Sequence, residues 1–269
     1  MTAFIIVLLI LAAAFLLSLT GRTGHKGLAA LRGWAYAHRG LHGENVPENS
    51  MAAFRKAMES GYGIELDVHL LKDGNLAVIH DASLKRTAGA EVQIEDLTTE
   101  DLTKYTLEGT EETIPQFRQV LELYDGKAPI IVELKAERSN HAALCRATCD
   151  MLQNYSGAYC LESFDPRCVR WLRKNRPELI RGQLAENYFR TPKSRLPGIL
   201  KLILSNHMMN FLTCPDFVAY RFSDRNGFST RLCRKLWKLQ GVTWTIKSQA
   251  DHETAEKEGW ISIFEGFCP

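Results

Sequence analysis

Eight short apolar segments of β-type alternate with helical patterns between residues 35 and 264, and this alternation restricts the possible folds more than any other feature. The segments span 35–38, 64–68, 130–134, 159–163, 180–184, 217–220, 242–246 and 261–264. Apolar residues spaced three and four apart predict helices over 51–60, 141–153, 166–175, 230–240 and 251–258. Because parallel strands need helical crossovers and closure removes exposed strand edges, the pattern predicts a TIM-type (β/α)8 barrel. An open doubly wound sheet is the alternative, although no G-x-G-x-x-G or Walker loop follows an early strand.

A small insertion follows the second predicted strand. The turn sequence KDGN at 72–75 separates that strand from another short apolar segment at 76–79. Asp-Gly is typical of tight turns, so residues 66–80 are predicted to form a hairpin-like excursion. The polar, turn-rich continuation to about residue 113 is typical of an inserted segment, which we expect at the mouth of the barrel.

The N-terminal segment is apolar throughout, and residues 3–19 carry no charge. About 17 helical residues reach about 25 Å, close to the ~30 Å of a bilayer core, so residues 1–20 are predicted to be a transmembrane anchor. A cleaved signal peptide is the alternative, but no basic residue precedes the apolar run and no A-x-A site follows it. Arg22, Lys26 and Arg32 lie in a basic linker at 21–34, and the positive-inside rule then predicts a single-pass cell-membrane protein with residues 35–269 in the cytoplasm.

Composition limits the partners and the compartment. The chain has 33 basic and 31 acidic residues and a formal net charge of +2, without a long block of one sign. A nucleic-acid partner is therefore not expected. The seven cysteines are scattered, with no C-x-x-C pair and no zinc spacing, which indicates free thiols in a reducing compartment.

Acidic side chains occur where core strands end. Glu65 and Asp67 are two residues apart in IELDV, so both point to the same face of the strand. Two carboxylates on a core strand need protons or a cation to balance them, and a hard divalent ion is suited to that role. Glu133 and Lys135 share a face in the same way, and in a barrel both pairs would lie at the C-terminal mouth, where sites of this fold are built.

Two histidines are expected at the same mouth. His38 ends the first strand segment and His80 ends the short segment at 76–79. A single histidine at a strand end is more often structural, but two beside acidic residues can divide the roles of general acid and base. Arg39 and Lys135 add positive charge suited to a phosphate.

Several motifs follow one another in a characteristic order. They are HRG at 38–40, PENS at 47–50, IELDVHLLKDGNLAVIHDASLKRTAG at 64–89, VELK at 132–135, SFDP at 163–166 and WTI at 244–246. With these motifs and a closing strand, the chain resembles the glycerophosphodiester phosphodiesterase family over residues 35–269. The resemblance implies a TIM barrel whose divalent cation, usually calcium or magnesium, is held by Glu65, Asp67 and Glu133.

The resemblance also implies roles for individual side chains. His38 and His80 correspond to the catalytic pair, Arg39 and Lys135 to residues that contact the phosphate, and Trp244 to an aromatic residue at the substrate pocket. Two positions depart from the pattern. Many relatives end their last strand in Thr-Asp, where this chain has Phe264 and Glu265, and His69 replaces an amide or other polar residue. Its parity places His69 on the face of Glu65 and Asp67, so a pocket residue is one interpretation, but a solvated hairpin residue is the prediction.

The implied activity is metal-dependent hydrolysis of glycerophosphodiesters to glycerol 3-phosphate and an alcohol such as choline or ethanolamine, in lipid metabolism. Either histidine can be the base, and either a water or the hydroxyl next to the ester can attack. One alternative is cleavage of membrane lysophospholipids in phospholipase D fashion by the same residues. Another is a non-catalytic barrel that binds phosphodiesters or lipids, which the complete set of acids and histidines disfavours.

The segment at 188–212 allows two interpretations. Apolar residues follow helical spacing from Leu196 to Leu204, with Lys193, Arg195 and Lys201 nearby. A helix on a membrane surface has this pattern, and it would bring lysophospholipids within reach. An outer helix of the barrel has the same pattern, and the weak polar side favours that interpretation.

Overall fold

The computed structural model describes residues 1–192 and 194–269, so that Lys193 of the segment at 188–212 lies outside the described residues. The strands within these residues are β1 Ala35–His38, β2 Gly63–Leu70, β3 Leu76–Val78, β4 Ile130–Leu134, β5 Tyr159–Ser163, β6 Arg181–Ala185, β7 Phe217–Arg221, β8 Gln240–Ile246 and β9 Trp260–Phe264. β3 pairs antiparallel with β2. The other eight strands are parallel neighbours in the order β1-β2-β4-β5-β6-β7-β8-β9, and β9 pairs with β1 to close the barrel.

Helices follow most of the strands and cover the outside of the barrel. They are α1 Thr2–Ser18, α2 Met51–Glu59, α3 Lys85–Ala88, α4 Phe117–Tyr124, α5 His141–Leu152, α6 Pro166–Asn175, α7 Gly198–Ser205, α8 Asn210–Thr213, α9 Phe228–Lys235 and α10 Gln249–Lys257. Local chemistry sets several starts: Ser50 Oγ accepts from the Ala53 amide, and Asp165 Oδ1 accepts from the Arg167 amide with Pro166 between them.

Most strands and helices lie close to their predicted positions. The hairpin predicted after the second strand is present as β2 and β3. The helical predictions differ from the structure in two ways: α3, α4 and α8 were not expected, and α9 ends at Lys235 rather than at residue 240. Lys238 has a left-handed backbone with φ of 54°, and β8 already begins at Gln240, so the chain leaves the helix early.

The closed end of the barrel is filled by apolar side chains. Tyr36, Ile131 and Phe217 belong to one buried cluster, which a 3-10 helix at Lys26–Leu31 covers with Leu28 and Leu31. Strand β6 has Gly182 in this region, because a Cβ at that position would lie 2.0 Å from the Phe217 ring. The packed end leaves the polar side chains concentrated at the opposite, C-terminal end of the strands.

The N-terminal helix differs from its prediction. Within the described part of the chain, no helix combines the length and the apolar character needed to cross a membrane. The predicted transmembrane anchor is therefore not supported. α1 has 17 residues, or about 25 Å against about 30 Å of hydrocarbon core. The apolar run also ends in protein contacts: Leu19 is buried with Val218 and Leu239, and Trp237 Nε1 donates to the Leu16 carbonyl at 3.1 Å.

Basic residues of the predicted linker make contacts with the barrel. Arg22 forms two hydrogen bonds of 2.5 and 2.6 Å with the Asp216 carboxylate and donates to the Leu179 carbonyl. The division of the chain at residues 20 and 34, and the cytoplasmic placement of residues 35–269, stay predictions.

The segment at 188–212 contributes α7 and α8 to the outside of the barrel. The Tyr188 amide donates to Ser205 Oγ at 2.9 Å, and Tyr220 Oη donates to the Ser205 carbonyl at 2.8 Å, which attach α7 to β7. Ile199 and Leu202 on the same helix are exposed. α7 is thus an outer helix of the barrel, and contact with a membrane surface stays a prediction.

Candidate active site

Three carboxylates converge at the C-terminal end of β2 and β4. Glu65, Asp67 and Glu133 are buried, and one carboxylate oxygen of each lies within 4.8 Å of the others. Asp67 and Glu133 are paired in register across the two parallel strands, and Glu65 is two residues earlier on the same face. The alternation of the strands therefore brings the three acids predicted to hold a cation into one cluster.

The electrostatics of this cluster show why it suits a cation. Burial raises the pKa of Glu65 well above its usual range, and the charges of Asp67 and Glu133 add to the effect. Burial also raises the pKa of Glu133 to about 7, against the opposing charge of Lys135. Burial would do the same to Asp67, but Lys135, His80 and Arg39 lower the pKa of Asp67 below its usual range. Asp67 thus favours its ionised form, whereas burial among like charges disfavours the ionised forms of Glu65 and Glu133, a cost that a divalent ion would offset.

The donor set fits a hard divalent ion. In the described residues, no well-aligned hydrogen bond reaches Oδ1 of Asp67, although Lys135 Nζ lies 3.0 Å away. Oδ2 of Asp67 accepts from Asn49 Nδ2 at 2.8 Å, which orients the carboxylate. Oxygen ligands of this kind are those that calcium and magnesium prefer.

Arg39 and Lys135 lie against the carboxylates. Lys135 Nζ is 2.8 Å from Glu133 Oε1, and Arg39 Nε is 3.5 Å from Asp67 Oδ2. The Arg39 backbone amide also donates to Glu65 Oε2 at 3.1 Å. Both predicted phosphate-contacting residues are therefore within the cluster, where their charges offset those of the buried acids.

The loop after β1 has an unusual backbone that presents Arg39. Arg39, Gly40 and Asn49 have φ values of 54°, 80° and 53°, all in the left-handed region. The Asn49 amide donates to the Arg39 carbonyl at 2.8 Å, which closes the loop. A Cβ at position 40 would lie 2.8 Å from the Cβ of Ala53, so both the backbone and the close approach require glycine.

His38 is held from one side by a carboxylate. Its Nδ1 lies 2.8 Å from Glu265 Oε2, and its Nε2 lies 4.0 Å from Glu65 Oε2. Burial lowers the pKa of His38, while the hydrogen bond with Glu265 opposes the shift. The same hydrogen bond lowers the pKa of Glu265 to about 2, so that Glu265 is a carboxylate and accepts the Nδ1 proton. The Nε2 of His38 is thereby left with a lone pair that faces the acidic cluster.

His80 is held in the same way through a chain of ion pairs. Its Nδ1 lies 2.6 Å from Asp81 Oδ1, and Arg86 Nε donates to Asp81 Oδ2 at 2.5 Å. Arg86 and Arg39 both donate to Glu48 Oε1, at 2.6 and 2.9 Å. Burial lowers the pKa of His80 to about 4, so that the imidazole is neutral at neutral pH. The network connects the loops after β1 and β3.

The two histidines border one cavity together with Glu65 and Glu133. The cavity has a volume of about 50 Å³ and is lined by His38, Arg39, Glu65, His80, Glu133, Glu162, Phe164, Leu184, Trp244 and Ile263. The Trp244 ring packs edge-on against Phe164 with 5.6 Å between centroids, and the Arg221 guanidinium lies 5.5 Å from its centre. Trp244 is therefore part of the cavity wall, and its role at a substrate pocket stays a prediction.

Glu162 is a lining residue that the sequence analysis missed. It is buried at the end of β5, in register with Glu133. Burial raises the pKa of Glu162 well above its usual range, and the charge of Glu133 contributes. The segment YCLES could have indicated this residue, because aligning β4 with β5 places Glu162 beside Glu133.

The prediction that His69 is a solvated hairpin residue is wrong. Its side chain is buried, with Nδ1 2.6 Å from Glu95 Oε1 and Nε2 3.2 Å from the His80 carbonyl oxygen. The residues that follow β3 fold back over the hairpin, which strand periodicity alone does not reveal. His69 thus connects the inserted segment to the backbone of His80.

Fold and site together define a (β/α)8 barrel with a candidate divalent-cation site at the C-terminal end of its strands. A family model described as the glycerophosphoryl diester phosphodiesterase family matches residues 38–265. This chain therefore belongs to that family.

Individual relatives carry related names. A glycerophosphodiester phosphodiesterase from Caldanaerobacter subterraneus is 35% identical over 158 residues, which cover 55% of this chain and 65% of that protein. A lysophospholipase D from Rattus norvegicus is 35% identical over 132 residues, 44% of this chain and 40% of the relative. The chain thus spans between about two fifths and two thirds of the length of these relatives.

Solved structures support the same fold. A phosphodiesterase from Oleispira antarctica, in complex with the product sn-glycerol-3-phosphate, is similar with a TM-score of 0.72. The match covers 91% of this chain and 95% of the other, at 18% sequence identity. At that identity the likeness establishes the barrel fold, and the chemistry has to be argued from the site.

Proposed function

We propose that this protein hydrolyses glycerophosphodiesters to glycerol 3-phosphate and an alcohol, with a divalent cation bound at the carboxylate cluster. The observation that carries the proposal is that His38, His80, Glu65 and Glu133 line one cavity, with Asp67 completing the buried acidic cluster beside it. The family membership and the names of the relatives support the choice of substrate class.

Glu65, Asp67 and Glu133 would hold the cation, which we propose to be calcium or magnesium because all the ligands are carboxylate oxygens. When bound, the cation supplies Lewis-acid neutralisation of the phosphate oxygens and lowers the pKa of the attacking hydroxyl or water. The protein contributes the position of the acids, which the register of β2 and β4 determines.

His38 and His80 exchange the protons of the reaction in this proposal. One Nε2 removes a proton from the attacking oxygen, and the other donates a proton to the leaving alkoxide, which would otherwise leave poorly. Each Nδ1 is bonded to a carboxylate, Glu265 or Asp81, so that each Nε2 is the nitrogen left for substrate. Either histidine can be the base, and a substrate with an activated leaving group would distinguish the base from the acid.

Arg39, Lys135 and Trp244 would bind the substrate. The Arg39 guanidinium and the Lys135 ammonium offset the negative charge of the buried carboxylates. Both groups can also donate hydrogen bonds to a phosphate. Trp244 provides an apolar wall next to Phe164, against which the glycerol or alcohol portion can pack.

A second candidate activity is cleavage of lysophospholipids in phospholipase D fashion by the same residues. The similarity to lysophospholipase D from Rattus norvegicus favours it. Both activities break the bond between the phosphate and the head-group alcohol, so the catalytic groups are shared and the substrates differ by an acyl chain.

The test is a substrate panel containing glycerophosphocholine, glycerophosphoethanolamine and lysophosphatidylcholine, with choline or ethanolamine release as the measurement. We expect release from the soluble diesters with added magnesium or calcium, and loss of release after treatment with a chelator. Release only from the lysolipid would favour the second candidate. No release from any substrate, or release that ignores the chelator, would contradict the proposed mechanism.

Replacing Glu265 by Gln is expected to lower kcat by about tenfold or more, because the amide cannot hold the Nδ1 proton of His38 as a carboxylate does. The loss of the carboxylate also lowers the pKa of His38, so the limb of the pH–rate profile that reports this histidine should move to lower pH. Glu265→Asp retains the charge and should recover part of the rate. A profile that does not move, with kcat unchanged, would show that Glu265 has no positioning role.

A further inference from the structure

A second group of potential metal ligands lies beside the acidic cluster. A ring nitrogen of His38, a ring nitrogen of His42 and a carboxylate oxygen of Glu265 lie within 4.8 Å of one another. His42 lies in the loop after β1 and Glu265 follows the end of β9, so the pairing of β1 with β9 brings them together. The proposed function uses His38 and Glu265 from this group and leaves His42 without a role.

The chemistry of this group differs from that of the acidic cluster. Two imidazoles and one carboxylate are a ligand set that zinc and related transition-metal ions prefer, whereas three carboxylates suit calcium and magnesium. Ligand atoms in a tetrahedral zinc site lie about 3.4 Å apart, so movements of about 1 Å would bring the three side chains to that geometry.

His42 is positioned for a ligand. Its Nε2 is buried and has no hydrogen-bond partner in the part of the chain that the structure describes. The backbone around it is held by hydrogen bonds from Leu41 to Ala53, from His42 to Gly40 and from Gly43 to Val46. A buried ring nitrogen without a partner costs free energy, and a bound cation would remove that cost.

Glu265 provides the negative charge of this group. Its carboxylate accepts from His38, and its other oxygen is 3.5 Å from Lys247 Nζ. The Lys247 side chain is 68% exposed, so solvent screens its charge and a cation can displace it. Three ligands leave a fourth tetrahedral position open to water, as in many zinc sites.

We infer that His38, His42 and Glu265 form a second cation site that binds zinc-type ions and inhibits the enzyme when occupied. The inhibition rests on the proposed function. A cation on Nδ1 of His38 takes the place of the proton that Glu265 accepts, and a neutral imidazole then carries its proton on Nε2. The Nε2 lone pair that faces Glu65 is lost, and so is the capacity of His38 to accept a proton from substrate.

The binding test uses zinc alone as the probe, in protein saturated with magnesium. Zinc affinity is measured by competition with a chromophoric chelator for the wild type, His42→Gln and the matched control His141→Gln, a histidine outside the group. We expect one zinc equivalent that weakens about tenfold or more in His42→Gln and stays unchanged in His141→Gln. Equal affinity in the wild type and His42→Gln would overturn the site.

The activity test measures zinc inhibition of glycerophosphocholine hydrolysis. His42→Gln should retain the magnesium-dependent rate within about twofold and require about tenfold or more zinc for half-inhibition. A His42-dependent zinc equivalent without any loss of activity would overturn the inhibitory effect.

Failure of the site and failure of the proposed function are distinguished by Glu133→Gln. This variant lacks a carboxylate of the magnesium cluster, so zinc binding to it does not depend on activity. If the wild type hydrolyses none of the substrates while His42-dependent zinc binding persists in Glu133→Gln, the zinc site is supported and the proposed function is contradicted. Loss of the zinc equivalent in Glu133→Gln would assign the zinc to the acidic cluster and overturn the site.

Discussion

Replacing Glu65 by Gln is expected to lower kcat/KM for glycerophosphocholine about 10³-fold or more and, at the same time, to raise the melting temperature of the cation-free protein. The activity falls because one of three cation ligands is lost, and with it several kcal/mol of transition-state stabilisation. A loss of about 4 kcal/mol lowers the rate about 10³-fold. The stability rises because burial beside Asp67 and Glu133 disfavours the ionised form of Glu65, and the uncharged amide removes that cost.

The pH dependence of the melting temperature tests whether Glu65→Gln stabilises the cation-free protein for this reason. Burial raises the pKa of Glu65 in the folded protein, so its contribution to stability is complete below the unfolded value of about 4.3 and is lost as the pH rises toward the folded pKa. The difference in melting temperature between Glu65→Gln and the wild type should therefore grow from pH 5 to pH 8 in the presence of a chelator. Magnesium should stabilise the wild type more than the variant.

The matched control is Asp96→Asn, which removes a carboxylate that is 55% exposed and paired with Arg138 on the surface. It should leave the activity unchanged and the melting temperature within about a degree, because exposed ion pairs contribute little. If Glu65→Gln keeps full activity, or melts below the wild type in chelator, the acidic cluster does not hold the cation.

Replacing either histidine of the pair by Ala is expected to lower kcat by about 10²- to 10⁴-fold, the range attributed to general acid–base catalysis. The KM should change less than kcat, since the phosphate is bound by other groups. The control is His141→Ala at the start of α5, a residue that does not line the cavity. Rates for His38→Ala and His80→Ala are measured by choline release from glycerophosphocholine.

An activated leaving group separates the two roles. A p-nitrophenyl phosphodiester needs no proton on departure, so the variant that lacks the general acid should regain most of its rate with this substrate. The variant that lacks the general base should stay slow. We therefore expect recovery in one of His38→Ala and His80→Ala. Wild-type rates in both variants with glycerophosphocholine would contradict the proposed pair.

Much of the site could be predicted from short-range patterns. The side chains of a strand alternate between its faces, so Glu65 and Asp67 had to share one face, as did Glu133 and Lys135. Parallel strands of a barrel end at the same rim, so the acids and His38 had to meet there once the eight strand segments were recognised. The order of the motifs and the spacing of residues within them were enough to predict this convergence, and no contact between distant residues had to be known.

Other features depend on contacts between distant parts of the chain. Glu265 bonds to His38 across 227 positions of sequence, and no local pattern relates the two residues. His69 is buried because the segment with Glu95 folds over the hairpin. The anchor predicted at residues 1–20 followed from apolar composition, which does not reveal that Leu19 is packed against Val218 and Leu239.

The sequence by itself determined the barrel and the side of each strand that carries the acids, because strand periodicity and parallel closure leave few alternatives. Only the tertiary structure decided which partners hold each histidine, that His42 lies beside Glu265, and where the N-terminal helix ends. Those features depend on loop conformation and on packing between distant segments, and the energies of such contacts are not encoded in any local spacing of residues.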